Sequence, residues 1–143
     1  MCVKILGVMN RKEKPFDKDL FFRALADRTR LRLLNLMRGG EVCVCFFVEI
    51  LQTHQPKISR HLAYLRKAGI VGFRRDGPWI HYRILDPPDP NAGRVLNETL
   101  EWLASDSEMQ RDHERLVNAC CASQPPIGIH RAPRPAGFTD AST

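Results

Sequence analysis

A short polar turn separates a very apolar segment from a basic amphipathic one, and a run of β-branched and aromatic residues broken by Asp76-Gly77-Pro78 follows them. That order predicts a mainly α chain organised as a winged helix-turn-helix with one β-hairpin wing. The hydrophobic content of 43% is enough for a real core, and 143 residues make about one domain, which excludes large multi-domain enzyme architectures. Punctuation by proline and glycine places a basic lead at 1–15, the domain at 16–121 and a tail at 122–143. The tail is expected to be disordered, because Pro125, Pro126, Pro133 and Pro135 break helices and few apolar residues accompany them.

Each element has its own signal. Phe16, Leu20, Phe21, Ala24 and Leu25 recur at helical spacing, and Leu31, Leu34 and Met37 repeat it after a break at Asp27 to Thr29. Gly39-Gly40 stops that second helix, and EVCVCFFVEILQ supplies a short third one. Thr53 to Gln55 is the turn, with Phe46 to Leu51 as the first helix of the motif and Lys57 to Lys67 as the reader. Ile58, Leu62 and Leu65 face inward, and Gly69 ends the reader. Residues 70–85 form the hairpin around Asp76-Gly77-Pro78. Beyond Pro87, Pro88 and Pro90, Val95, Leu96, Thr99, Leu100, Trp102 and Leu103 mark a fifth helix. Ser105 with Glu108 forms a capping-box pattern for a sixth, running to about Cys120. Phe21, Phe22, Leu96, Leu100, Trp102 and Leu103 exceed what one small domain need bury, so a homodimer packed through the first and last helices is expected.

The net charge of +6 favours an anionic partner. Between Gln55 and Arg83 the bases Lys57, Arg60, Arg66, Lys67, Arg74, Arg75 and Arg83 face one acid, Asp76, so this stretch carries the whole chain's net charge. A positive field on the reader helix and wing is the footprint of a duplex DNA partner. Gln55, Lys57, Ser59 and Arg60 open the reader helix, where base edges are reached, and Arg60 can bond guanine with two donors. His61 packs or touches phosphate; Arg66, Arg74 and Arg75 are expected on the backbone. No apolar run exceeds the seven residues from Val42 to Val48, so no membrane span is expected. With no secretory signal in MCVKILGVMN, the expected location is the cytoplasm. The five cysteines, among them the pairs Cys43/Cys45 and Cys120/Cys121, then read as thiols rather than a disulfide framework.

Taken together, ALADRTRLRLL (Ala24 to Leu34), EVCVCFF (Glu41 to Phe47), QPKISRHLAYLRKAGIV (Gln55 to Val71) and GPWIHYRI (Gly77 to Ile84) make the chain similar to the ArsR/SmtB family of metal-responsive repressors, in particular its arsenic and antimony sensors. The resemblance implies a homodimeric repressor that holds a palindromic operator and leaves it when trivalent arsenic or antimony, the inducer, binds the cysteines of a C-V-C motif. Cys43 and Cys45 match that motif; the third cysteine that some members carry three residues later is Val48 here.

Thiol chemistry agrees with this assignment, since a soft trivalent metalloid prefers thiolates. A closed zinc site would need four Cys or His ligands at wider spacing. Cys120 and Cys121 either complete the metalloid site, bind a second ion or are idle thiols near a helix end. A redox sensor built on either thiol pair is the competing reading. No nucleophile, base and orienting group occur together, so no enzyme and no organic cofactor are expected. Residues two apart on a helix leave nearly opposite faces, whereas in extended chain they share one face about 6.6 Å apart. Chelation by Cys43 and Cys45 therefore calls for a distorted start to the third helix, felt by Lys57 to Arg60 through the turn.

Overall fold

The computed structural model describes residues 15–122 and 124–135, so most of the N-terminal lead, with Cys2, and the last eight residues lie outside the described residues. The described chain runs α1 (Lys18–Leu25), α2 (Arg28–Leu36), β1 (Val42–Cys43), α3 (Val44–Leu51), α4 (Gln55–Lys67), β2 (Val71–Asp76), β3 (Trp79–Ile84), α5 (Pro90–Ala104) and α6 (Ser107–Cys121), then a 3-10 turn at Ile127–Ile129. It is the mainly α, winged helix-turn-helix arrangement that the pattern predicts.

Four helices start at an aspartate whose carboxylate accepts a backbone N–H of the first turn. Asp17 takes Leu20, Asp27 takes Arg30, Asp89 takes Asn91 and Asp106 takes Glu108, at 2.8–3.0 Å. Each cap is worth about 1 kcal/mol. Ser105, expected to cap α6, instead closes α5 by donating to the Trp102 carbonyl at 2.7 Å. The two helices of the helix-turn-helix, α3 and α4, have no side-chain cap; their N-cap positions are Cys43 and His54. For α3 the reason is that the chain enters it directly from a strand.

That strand is the feature missing from the sequence reading. Val42 and Cys43 pair antiparallel with Tyr82 and His81, which makes a three-stranded sheet in the order β1-β3-β2. The hairpin β2–β3 turns at Gly77, whose φ of 57° suits a residue without Cβ. Between α3 and α4 the reversal is made at Gln52 in the left-handed region (φ 51°), and the Thr53 hydroxyl donates to the Leu51 carbonyl at 3.1 Å. Phe46 and Phe47 of α3 are buried with Leu33 and Leu34 of α2 and with Ile58, Leu62 and Leu65 of α4. The reader helix therefore rests on the helix that carries Cys45.

α6 is fixed to α2 by polar contacts as well as by Met109 and Leu116. Asp112 is fully buried and accepts Nε and the second guanidinium nitrogen of Arg32 at 2.7 and 2.9 Å. The buried Asn35 amide donates to the Met109 carbonyl at 2.9 Å. Losing Arg32 would strand a carboxylate in the core, the expensive half of a buried ion pair.

Part of the tail expected to be disordered is folded. Ile129 is buried, Ala132 packs on the core, and the 3-10 turn lies against α3. The few apolar residues of this segment are what hold it there. Of the residues expected at a dimer contact, Phe21, Leu96 and Leu103 are buried within the domain, whereas Phe22 and Trp102 are 56% and 78% exposed. Val95 of α5 is exposed as well, so α1 and α5 carry uncovered apolar side chains; the other large ones among the described residues are Phe73 on the wing and Ile127 in the 3-10 turn, and none lies on the last helix.

Candidate functional site

The first turns of α4 and the hairpin make the basic face. Gln55, Lys57, Arg60, Arg66 and Lys67 are exposed along α4, as are Arg75 and Arg83 on the wing. Arg60 bends back so that its Nε donates to the Pro56 carbonyl at 3.3 Å, leaving the rest of the guanidinium over the exposed side. Arg66 stacks on the Phe73 ring at 4.4 Å, which orients a reader-helix cation against the wing. Ser59 is half-buried inside the helix and caps nothing.

Two residues expected on DNA have other partners. His61 is half-buried, with Nδ1 3.3 Å from Arg30 and 3.7 Å from Asp27. Burial, together with Arg30, Lys57 and Arg60, keeps its pKa below the ordinary value against the pull of Asp27. The neutral imidazole is favoured, and its Nδ1 is turned toward α2. Arg74 donates from Nε to both oxygens of Glu41, at 2.8 and 3.0 Å, and from a terminal nitrogen at 2.7 Å. Its guanidinium, although half exposed, is paired with Glu41, whereas Arg75 and Arg83 are exposed on the wing and enter no ion pair among the described residues.

The second part of the site is the thiol pair. Cys43 ends β1 in extended backbone (φ −70°, ψ 142°), and Cys45 is in the first turn of α3. The strand-to-helix change cancels the half-turn that separates such positions within one helix. The two sulfurs accordingly lie 3.2 Å apart, with the Cys45 thiol donating to the Cys43 sulfur. The distortion expected at the start of α3 is already present as a strand end. With bonds of about 2.3 Å, a single centre joining sulfurs this close would subtend roughly 90°, tighter than a tetrahedral angle.

Their protonation follows from the contact. The hydrogen bond from Cys45 and the backbone N–H groups of Cys45, Ile80 and Val44 favour the Cys43 thiolate over the opposing effect of burial, so its pKa falls below the usual thiol range. Donation to Cys43, burial and the neighbouring negative charge hold the proton on Cys45, whose pKa is raised. Of the two sulfurs, Cys43 is the one whose thiolate is favoured, and so the better nucleophile.

Cys120 is buried, and burial pushes its pKa up to about 11, with Cys121 adding to the rise. It is a neutral thiol. Cys121 is exposed at the end of α6. Among the described residues, no three or more His, Cys, Asp or Glu side chains gather as a metal-binding group, so α6 does not bring these thiols to Cys43 and Cys45 as a preformed cluster.

Two residues absent from the sequence reading frame the pair. Glu41 lies two residues before Cys43, and His81 is directly opposite Cys43 in the ladder. The alternation of Glu41, Val42 and Cys43 before the helix was the available signal, although three residues are too short a run to read as a strand.

Residues 27–72 match the model of the bacterial regulatory protein arsR family. The chain is 46% identical over 94 residues to the arsenic resistance transcriptional regulator ArsR1 of Pseudomonas putida KT2440, covering 62% of this chain and 73% of that one. It is 37% identical over 102 residues to the arsenical resistance operon repressor of Escherichia coli K12, covering 71% and 86%. Its fold matches reduced HlyU from Vibrio cholerae N16961 with a TM-score of 0.52 at 25% identity, over 62% of this chain and 88% of that chain.

The commitments of the wing arginines can be read from salt dependence. Arg75→Ala is expected to weaken binding to all duplexes alike and to lower the slope of log affinity against log salt by about one. Arg74→Ala should leave that slope nearly unchanged, and Arg60→Ala should cost about 1–3 kcal/mol on a preferred sequence only. Fluorescence anisotropy at several salt concentrations separates the three.

The hydrogen bond between the sulfurs predicts a second result. Thiolate absorbance of the reduced protein should rise at a pH below the ordinary thiol value of about 8.5. In Cys45→Ala the donor is gone and burial remains, so the rise should move to higher pH. An unchanged titration in that variant would mean that the contact between the sulfurs does not set the charge.

Proposed function

The chain belongs to the arsR family of bacterial regulatory proteins, and on that premise we propose that it is a transcriptional repressor released from operator DNA when trivalent arsenic or antimony binds Cys43 and Cys45. The observation that carries the reading is the 3.2 Å approach of two sulfurs at the entry of the helix that supports the reader. One thiolate and one thiol at that distance fit a soft, pyramidal trivalent centre better than tetrahedral zinc.

Arsenous acid is a suitable inducer for this pair. Two As–S bonds replace two As–O bonds; one hydroxide leaves as water with the Cys45 proton, and the other leaves as hydroxide. The third position on the arsenic remains with oxygen or is taken by a further donor. Closing this ring fixes the angle between β1 and α3. Phe46, Phe47, Ile50 and Leu51 pass a change in that angle to α4 through packing, because close-packed cores shift as units. Gln55 to Arg60 then no longer match the groove.

The operator reader is a homodimer in this account, joined over the exposed Phe22, Val95 and Trp102 of α1 and α5. Two copies would set the reader helices one helical turn of DNA apart, about 34–36 Å. The work of the protein in this reading is binding and release, without an organic cofactor; no described helix is long and apolar enough to cross a membrane.

Mobility shift of a labelled operator under reducing conditions tests the proposal. Arsenite should release the wild-type protein, while Cys43→Ser and Cys45→Ser should each bind the operator and resist release, with a loss of coupling of roughly 1–3 kcal/mol. Cys120→Ser and Cys121→Ser should have smaller effects. Normal release of the Cys43→Ser/Cys45→Ser double variant would move the sensor elsewhere.

A further inference from the structure

Arg74 is the one basic wing residue whose guanidinium bonds a carboxylate, through Nε and one terminal nitrogen to Glu41, and the role of that pairing is not explained by DNA contact. The register places Cys43, His81 and Arg74 in a single row across the sheet: Cys43 is opposite His81, and His81 is opposite Arg74. Side chains in such a row share one face. Glu41, two residues before Cys43, belongs to the same face. The Glu41–Arg74 ion pair consequently passes diagonally over the central strand β3 and ties the β1 end of the sheet to the outer strand of the wing.

His81 lies in the middle of this arrangement and is 4% exposed, and its Nε2 has no hydrogen-bond partner. Its ring nitrogens are 3.8 Å from Glu41 and 3.7 Å from Asp76, beyond hydrogen-bond range. A buried, unsatisfied nitrogen between two acids marks a place where a small shift of either strand changes the bonding. The thiol pair is the place where such a shift starts, because Cys43 belongs to β1 and Cys45 to α3. One side of the pair leads through α3 to the reader helix. The other leads through β1 to the wing.

We propose that the Glu41–Arg74 clamp over His81 positions the wing according to the occupancy of the thiol pair, so that inducer binding withdraws the wing from DNA as well as the reader helix. The proposal rests on the reading of Cys43 and Cys45 as inducer ligands. Glu41 and Arg74 are positioning residues in it: neither touches the inducer, and both act through the sheet. With β1 only two residues long and lying at the sheet edge, the backbone ladder alone is a weak tether. The clamp makes the wing follow it.

The test uses the full chain, with arsenite as the probe. Arsenite binding to the free protein is followed by sulfur–arsenic ultraviolet absorbance, and operator binding by anisotropy with and without arsenite. Glu41→Gln should bind arsenite as the wild type does, while the ratio of operator affinities without and with arsenite falls by about threefold or more from the 5–150-fold expected of a typical coupled pair. Glu41→Gln/Arg74→Gln should fall no further, because both changes cut one connection. The exchange Glu41→Arg/Arg74→Glu, which restores an ion pair, should recover the ratio. A clamp with a merely structural role would lower the unfolding temperature in Glu41→Gln and leave the ratio intact, and that result overturns the proposal. Failure of the exchange to recover the ratio in a folded protein also overturns it. Wild-type protein that shows no sulfur–arsenic absorbance would instead overturn the thiol reading itself, and this inference with it.

Discussion

The two-residue ladder between Val42–Cys43 and Tyr82–His81 is the constraint on which the functional geometry depends. It holds Cys43 in extended backbone until the residue before α3, so the chain changes from strand to helix between the two cysteines. Without that change the sulfurs would leave a helix on nearly opposite sides. With it they lie 3.2 Å apart, and the Cys45 thiol donates to the Cys43 sulfur. The same ladder joins the strand that carries Cys43 to β3, the inner strand of the wing, which in turn pairs with β2 and its Arg74 and Arg75. Helix-turn-helix and wing are thus two levers on one short strand.

Charge follows the same geometry. The reader helix and wing contain the chain's net positive charge, but the structure divides those cations into two groups. Lys57, Arg60, Lys67, Arg75 and Arg83 are exposed and enter no ion pair among the described residues, whereas the half-exposed Arg74 is paired with Glu41; outside that stretch, Arg30 of α2 is likewise held, stacked on Tyr64 and bonded to the Ala24 and Arg23 carbonyls. The second group has positional roles, holding the wing to β1 and α2 to α4. Counting basic residues along the sequence gives the sign of the field and does not distinguish the cations that are free on the surface from those, such as Arg74, that are paired within the protein.

Most of the architecture could be read from periodicity. Ile58, Leu62 and Leu65 repeat at helical spacing and are fully buried, and Asp76-Gly77-Pro78 turns the hairpin where the β-branched runs on either side require it. The reader helix was recognisable because its apolar and basic residues occupy different faces. β1 was not, since in EVCVCFFV every residue after Glu41 is apolar, and an apolar run carries no period that separates strand from helix. Glu41 and His81 were hidden for a related reason: their importance comes from cross-strand register, which depends on a pairing 38 or more residues away. His61 and Arg74 look like DNA contacts in one dimension and have intramolecular partners in three. The order of the segment around Ile129 is hidden in the sequence because its prolines outnumber the apolar side chains, Ile129 and Ala132, that pack on the core.

The central claim is that Cys43 and Cys45 jointly hold one trivalent inducer at the strand–helix junction. Arsenic-edge X-ray absorption of reduced protein loaded with one equivalent of arsenite tests it most directly, by counting the sulfurs around the arsenic. The account predicts at least two sulfur neighbours in the wild type and the loss of both in Cys43→Ser/Cys45→Ser, with the count unchanged by Cys121→Ser. An arsenic surrounded by oxygen alone in the wild type, or an undiminished sulfur count in the double variant, would contradict it.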